Sequence, residues 1–452
     1  MTAASAGRVS AGAGLLALEF AASAAVSFSL LRRGVIAVDL ALLLVCVPLV
    51  GMTAAAVRHT WQDVTLPAGL GLNLIGLHVL SVVAPSFAKL QCAWSFLALA
   101  TYAVVTALPQ VSTWPRRWPF LSFALAMVLF LLTFVVGTNP EGVGPKQWLA
   151  VGSFYFQPAE LLKLALALLL AWQLGQSADD DERLIGWWLL PPAAAVLAMV
   201  AQSDLGSAAI AAAVSGTILL AARGNRRRLM VGLLVAAVVA AGTFALVPRA
   251  RLRLEDWLHP FRDPLGKSYQ IVQSLRAIAA GGLWGKGLAA SDTLHVPASH
   301  TDLILSAVGE RLGLAGTLLV FALFGLLLWR IARSAARCTR RFESLAHLGI
   351  ASLLIGQAVI ISAGTLSLLP LTGVTLPFVS YGGSSLLTSY LAIGLLACLG
   401  PRCETNDPAS PVRRWGRPVY AGLATALAVV AASFALWALL GSAVLTRSLP
   451  SA

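Results

Sequence analysis

The feature that most restricts this chain is the grouping of its apolar residues into blocks of roughly 20, bounded by charges, proline or glycine. About 20 residues of helix are long enough to cross a bilayer core of about 30 Å. On this basis the sequence predicts helices near 11–31, 35–57, 64–84, 90–108, 118–137, 157–175, 186–201, 203–222, 229–247, 303–330, 345–369, 384–400 and 418–446, thirteen in all. Only Gln202, Ser203 and Asp204 divide 186–201 from 203–222. Composition agrees, because 58% of the 452 residues are hydrophobic and 11% are charged, where an average globular domain has about 25% charged. A surface so poor in charge has to be solvated by lipid. The expected fold is all-α, a polytopic integral membrane protein with no sizeable water-soluble domain.

The block 11–31 is longer than a signal-peptide core and a second block follows almost at once, so no cleavable signal peptide is expected. Short arginine-rich loops mark the cytoplasmic side of a membrane protein. Arg116 and Arg117, Arg223 with Arg226, Arg227 and Arg228, and the arginines of 330–341 and 402–417 fall on one side if the N-terminus is cytoplasmic. The net charge of +13 is then a topology signal and gives no reason to expect nucleic acid. The acidic run 179–182 reads as a solvated cytoplasmic turn. The cysteines Cys46, Cys92, Cys338, Cys398 and Cys403 show no metal-ligand spacing, and none is placed for an extracytoplasmic disulfide.

Segments 138–156 and 248–302, with a shorter one at 369–383, then lie outside. The 55-residue segment 248–302 carries Arg249, Arg251, Arg253, Arg262, Lys267, Arg276 and Lys286 on what should be the cation-poor side. Long loops escape the charge rule, yet these cations invite an anionic ligand. The stretch 268–280 reads as an amphipathic surface helix.

Ionisable groups within membrane spans are costly and mark functional sites by default. Glu160 and Lys163 sit three residues apart on one helix face, as a self-neutralising ion pair or as site residues. Asp204 in QSDLG is a helix cap at a kink or an active acid. Asp302 ends the long outer segment in VPASHTD. An acid there commonly caps a helix, but His300, Glu310 and the basic, glycine-rich 269–288 stand close to it in sequence. One carboxylate beside clustered cations suits a reaction in which a hydroxyl loses its proton while an anionic leaving group is held. Gly281, Gly282, Gly285 and Gly287 read as turn residues or as an anion nest. The run Tyr381, Gly382, Gly383, Ser384, Ser385 reads as a turn with a serine cap or as a phosphate-binding helix N-terminus. The sequence contains no metalloprotease, Walker or Ser/His/Asp signature.

Five segments in order, GPKQW…FQPAELLK (144–163), QSDLG (202–206), YQIVQSLRAIAAGGLWGKGL (269–288), VPASHTDLILSAVGERLGLAG (296–316) and LPLTGVTLPFVSYGGSSLL (369–387), resemble the signatures of SEDS proteins, the shape, elongation, division and sporulation proteins of the RodA and FtsW type. The resemblance covers roughly 64–400 and implies the family's ten-helix catalytic core there. It leaves 1–63 as two extra N-terminal helices and 401–452 as a cytoplasmic linker with an extra C-terminal helix.

The resemblance implies a peptidoglycan glycosyltransferase in a bacterial plasma membrane. Such an enzyme polymerises lipid II on the outer face, releases undecaprenyl pyrophosphate and works with a class B penicillin-binding transpeptidase. Asp302 matches the family's essential aspartate, which takes the proton directly or through a divalent cation such as Mg2+; both readings stay open. Trp148, Glu160, Lys163 and Asp204 match further family positions. Lys146, Gln157, Gln273, Arg276, Lys286, His300, Ser384 and Ser385 complete the expected substrate-binding set. Relatives commonly carry Glu where this chain has Ala298. A lipid-linked precursor transporter, with Glu160, Lys163 and Asp204 lining a path, is the alternative; no inverted repeat of the kind common in transporters is visible in the sequence. A scaffold that has lost catalysis fits poorly with a retained Asp302.

Overall fold

The computed structural model describes residues 3–56, 64–140, 142, 144–152, 154–176, 187–223, 248–264, 266, 268–338 and 340–399. Eleven of the expected helices fall within these residues and all eleven are present: α1 (Ala3–Arg32), α2 (Val38–Ala56), α3 (Thr65–Val83), α4 (Pro85–Ala107), α6 (Pro119–Val136), α7 (Pro158–Gln176), α8 (Leu190–Ala201), α9 (Leu205–Arg223), α12 (Ile304–Ala335), α13 (Arg341–Thr365) and α14 (Gly383–Leu399). The expected helices 229–247 and 418–446 lie outside the described residues. Among the described residues nine helices are long and apolar enough to span a bilayer.

Three further elements carry no hydropathy signal: α5 (Pro109–Arg117), α10 (Pro248–Leu258) and the hairpin of β1 (Leu149–Val151) with β2 (Phe154–Phe156), paired antiparallel with Ala150 opposite Tyr155. Proline explains several helix starts. Pro85, Pro109, Pro119 and Pro158 stand first in their helices, where the missing N–H would have had no partner. The junctions at Leu108 and Trp118 thereby set the short polar α5 apart from the apolar α4 and α6.

Burial sorts the helices into centre and rim. In α3, α7 and α13, 83% of the most apolar window is buried, against 22% in α1 and α6. The first three form the core, and the last two turn apolar faces to lipid. The sequence places 268–280 on the surface, and the structure corrects this. α11 (Tyr269–Gly281) buries Ile271, Val272, Leu275, Ala277 and Ile278 and wedges against α12 and α13. Its apolar face meets protein where lipid was expected.

α12 is interrupted at Gly313, whose φ of +66° and ψ of −165° leave the helical region. A Cβ at Gly313 would stand 2.3 Å from the Gly285 nitrogen, and one at Gly285 would stand 2.3 Å from the Arg311 carbonyl oxygen. Only glycine allows two backbones so close. Cys46, Cys92 and Cys398 are free, while Cys338, three residues past α12, is disulfide-bonded.

Candidate active site

Between α13 and α14 the chain runs without regular helix from 366 to 382, and Val374, Leu376, Phe378, Val379 and Ser380 are buried. Irregular backbone at membrane depth survives only where protein encloses it and satisfies its polar groups. Ser380 Oγ accepts from the Leu376 amide (2.9 Å) and donates to the Thr301 carbonyl (2.7 Å). The Tyr381 amide donates to the His300 carbonyl at 2.8 Å. Gln91 brackets the turn, donating to the Ser380 carbonyl (3.1 Å) and accepting from the Gly382 amide (3.3 Å). At Gly76 of α3 a Cβ would lie 2.1 Å from the Val379 carbonyl oxygen, so that helix can approach this closely only as glycine. Phe378 takes φ +66°, an unusual conformation for a bulky residue, and packs edge-on against Tyr390 at 5.4 Å.

This segment, called here the hub loop, collects the residues that the sequence singles out. Asp302 does not cap α12: the N-cap is Leu303 and no side chain caps it. Its Oδ2 lies 3.7 Å from the point where a Cβ on Gly373 would stand, and Arg253 Nη2 lies 3.5 Å from that same point. Arg253 projects from α10 and also donates to the Thr372 carbonyl at 3.3 Å. A carboxylate and a guanidinium thus flank the bare backbone of Gly373, which is exposed at φ +72°. Arg253 was one of seven equivalent cations in the sequence; the fold selects it.

The intramembrane pair meets the same loop from below. Lys163 Nζ donates to Glu160 Oε1 at 2.8 Å, and both side chains are buried. Lys163 also reaches Gln357 Oε1 at 3.5 Å, and Gln357 Nε2 donates to the Thr375 carbonyl at 2.9 Å. A relay of polar side chains therefore joins α7 to α13 and ends on the hub loop. A buried pair of this kind adds little net stability, but it is costly to break because one charge is left uncompensated.

Asp204 occupies the other flank and is a cap. Its Oδ1 accepts from the Ser207 amide at 3.0 Å, opening α9 after a corner at Ser203 (φ +62°). The second oxygen accepts from Gln157 Nε2 at 3.4 Å, and the Gln157 amide donates to Ser384 Oγ at 2.7 Å. Gly206, one turn in, lies under the hub loop: a Cβ there would be 2.7 Å from the Thr372 carbonyl oxygen. The buried hydroxyls of Thr372, Thr375 and Ser385 have no hydrogen-bond partner. Three such groups around one loop are an unusual cost for a protein interior and suit a site that binds an oxygen-rich ligand.

Lys146 and Trp148 sit beside this corner. The Thr138 amide donates to the Trp148 carbonyl at 2.8 Å, and Gln202 Nε2 donates to the Lys146 carbonyl at 3.0 Å. A cavity of about 310 Å³ opens there, lined by Lys146, Gln202, Ser203 and Thr133. His300 stacks on Phe87 at 4.6 Å and 12°. The neighbouring Tyr381 hydroxyl is pushed above its usual pKa by burial, so it stays a neutral donor.

The anion-nest reading of Gly281, Gly282, Gly285 and Gly287 is overturned. The Lys286 and Gly287 amides donate to the Glu310 and Arg311 carbonyls, both at 2.9 Å, and the Gly285 amide to the Gly281 carbonyl at 2.8 Å. Lys286 Nζ binds the Asp292 carbonyl (2.7 Å) and Glu310 Oε1 (3.3 Å). This loop is a staple on α12. Gln273, buried, and Arg276, half-buried, lie on α11 behind it. One intramembrane acid escaped the sequence reading. Glu19 of α1 packs against Gly71, where a Cβ would be 3.0 Å from its Oε1, and any acid inside an apolar block would have flagged it.

Residues 76–402 match the family model of the FtsW, RodA and SpoVE cell cycle proteins, and the chain belongs to that family. It is a multi-pass membrane protein of the SEDS type. Stage V sporulation protein E of Bacillus subtilis is 33% identical over 289 residues, covering 63% of this chain and 79% of that one. The protein named peptidoglycan glycosyltransferase RodA in Mycobacterium tuberculosis is 44% identical over 161 residues, which is 35% of this chain and 34% of the relative. A solved structure titled for coordination of polymerisation and crosslinking by a peptidoglycan synthase complex superposes with a TM-score of 0.64 at 27% identity, covering 76% of this chain and 98% of the other. The rod shape determining protein RodA of Thermus thermophilus superposes with a TM-score of 0.56 at 25% identity, covering 76% and 97%.

Proposed function

We propose that this chain is a peptidoglycan glycosyltransferase that polymerises lipid II on the outer face of a bacterial plasma membrane. The observation that carries the chemistry is that Asp302 and Arg253 both come within 4 Å of the point where a Cβ on Gly373 would stand. In the proposed reaction the Asp302 carboxylate takes the proton of the acceptor sugar hydroxyl. That oxygen bonds to the anomeric carbon of the donor, and the carbon–oxygen bond to the pyrophosphate breaks. Arg253, which has a planar fork suited to phosphate, holds the departing undecaprenyl pyrophosphate. Gly373 holds the left-handed φ that this turn requires, which glycine adopts without strain. A well-placed base is worth roughly 10²–10⁴ in rate.

Glu160, Lys163 and Gln357 are proposed as positioning residues that fix the hub loop at Thr375. Asp204, Gln157 and Ser384 fix its flank, and Lys146 lines the cavity beside that corner. A resident cation such as Mg2+ does not fit well. Among the described residues no three His, Cys, Asp or Glu side chains gather, and the carboxylate concerned has a guanidinium beside it.

The proposed orientation puts the N-terminus in the cytoplasm and the hub loop outside. The proposed partner is a class B penicillin-binding transpeptidase, supported by the likeness to a synthase complex that couples polymerisation to crosslinking. Purified protein with such a partner and labelled lipid II tests the reading directly. Wild type should give glycan polymer and Asp302→Ala none. Transfer of lipid II across vesicles without polymer under any partner condition would overturn the enzyme in favour of a transporter.

A further inference from the structure

A second basic site lies at the opposite end of the bundle. α7 runs from Pro158 beside the hub loop to Gln176, and α13 runs from Arg341 to Thr365, whose carbonyl accepts from Ser274 of α11. Their far ends, with α5, enclose a cavity of about 620 Å³ lined by Arg116, Arg340, Arg341, Trp172, Phe342 and Gln176. Arg116 and Arg340 each place an Nη1 near Glu343 Oε1, at 3.7 and 3.8 Å. Arg341 donates to the Ala222 carbonyl at the end of α9. Two guanidinium groups thus face one carboxylate, which is buried while Arg116 and Arg340 stay 42% and 58% exposed, and the Arg341 guanidinium lines the same cavity. The N-terminus of α13 adds its positive end, since Arg340 at the N-cap contributes no side-chain cap.

The surroundings identify the anion. Trp114, Trp118, Phe120 and Trp187 are exposed around this end, as aromatic residues are at a membrane–water boundary. Arg116 lies over the Phe342 ring at 5.9 Å, so the cationic heads sit on apolar side chains. A free nucleotide or phosphate needs no such apolar floor, but a lipid does. Basic pockets between helices on the cytoplasmic side suit anionic headgroups, and the arginine fork matches phosphate oxygens.

We infer that this pocket binds the phosphate of an anionic phospholipid of the inner leaflet, and so anchors the ends of α5, α7 and α13 independently of the site around Asp302. Native mass spectrometry of the full chain, purified in equal phosphatidylglycerol and phosphatidylcholine, tests it. Wild type should keep phosphatidylglycerol selectively. The double variant Arg116→Gln/Arg340→Gln should lose that preference about twenty-five-fold, at about fivefold per charge, with its melting temperature reported alongside. Equal retention by a folded double variant overturns the inference. So does displacement of the lipid by inorganic phosphate at equal concentration, which would make a free anion the ligand. A third overturning result concerns the acidic run 179–182, which begins three residues after Gln176. If only a chain carrying Asp179→Asn, Asp180→Asn, Asp181→Asn and Glu182→Gln retains the lipid, that run is the native occupant.

Discussion

Two loops on the same face of the bundle invite comparison. The segment 281–287 is rich in glycine, carries Lys286 and follows a basic helix, all marks of an anion site. The hub loop 366–382 is mostly apolar, with two prolines. The structure reverses these expectations. The glycine loop donates its amides to the carbonyls of α12 and pairs its lysine with Glu310. The hub loop brings together Asp302, Arg253, the Lys163 relay and the Asp204 corner, and three buried hydroxyls near it have no partner. Glycine content alone does not mark a binding site. What marks one is polar groups left available after the fold has satisfied its own.

The largest effect expected from this comparison is at Asp302. Asp302→Asn keeps the size of the side chain and its capacity to hydrogen-bond while removing the base, so expression and thermal stability should stay near wild type while polymerisation falls roughly 10²–10⁴-fold. Rates and melting curves on the same preparation check both halves. If the variant instead loses stability with its activity, Asp302 is structural. Next in size is Lys163→Met, which strands Glu160 in the bundle interior. A loss of about 3–5 kcal/mol is expected, visible as a lowered unfolding midpoint, and Glu160→Gln/Lys163→Met together should recover much of it.

The helices and the intramembrane pair were legible in the sequence because hydropathy and charge are local properties. Eleven helices follow from apolar blocks, and Glu160 with Lys163 from helical spacing. Asp302 was legible as an acid at a helix start, although its failure to cap was not. Arg253 could not be told from six other basic residues, since its distinction is a contact with residues over a hundred positions away. The hub loop was legible as an outer segment and as one of the five family-like stretches, but not as the place where the site converges. Its polar partners Gln91, Thr301 and Gln357 come from other helices and loops, and most of its own side chains look like filler. α5 and the hairpin were missed because neither has the length or periodicity of a span.

A smaller effect is expected at Ala298. It sits at φ +53° with its carbonyl accepting from the Thr301 and Leu303 amides, both at 3.1 Å. A non-glycine residue in that conformation costs about 1 kcal/mol, so Ala298→Gly should raise thermal stability slightly and leave the rate within about twofold. A fall in stability would mean that the methyl packs usefully.

The comparison itself is tested most directly by lipid II polymerisation measured side by side for Gly373→Ala and Lys286→Gln. At Gly373 a methyl would stand at ordinary contact distance from Asp302 and Arg253 but at a left-handed φ that a side chain adopts only with strain. The loop should therefore shift and activity fall about tenfold or more while the chain stays folded. Lys286→Gln alters only the staple and should keep its rate within about twofold, with stability lower by about 1 kcal/mol or less. If Lys286→Gln is the variant that loses polymerisation and Gly373→Ala the one that keeps it, the glycine loop is the site and the assignment of the hub loop is wrong.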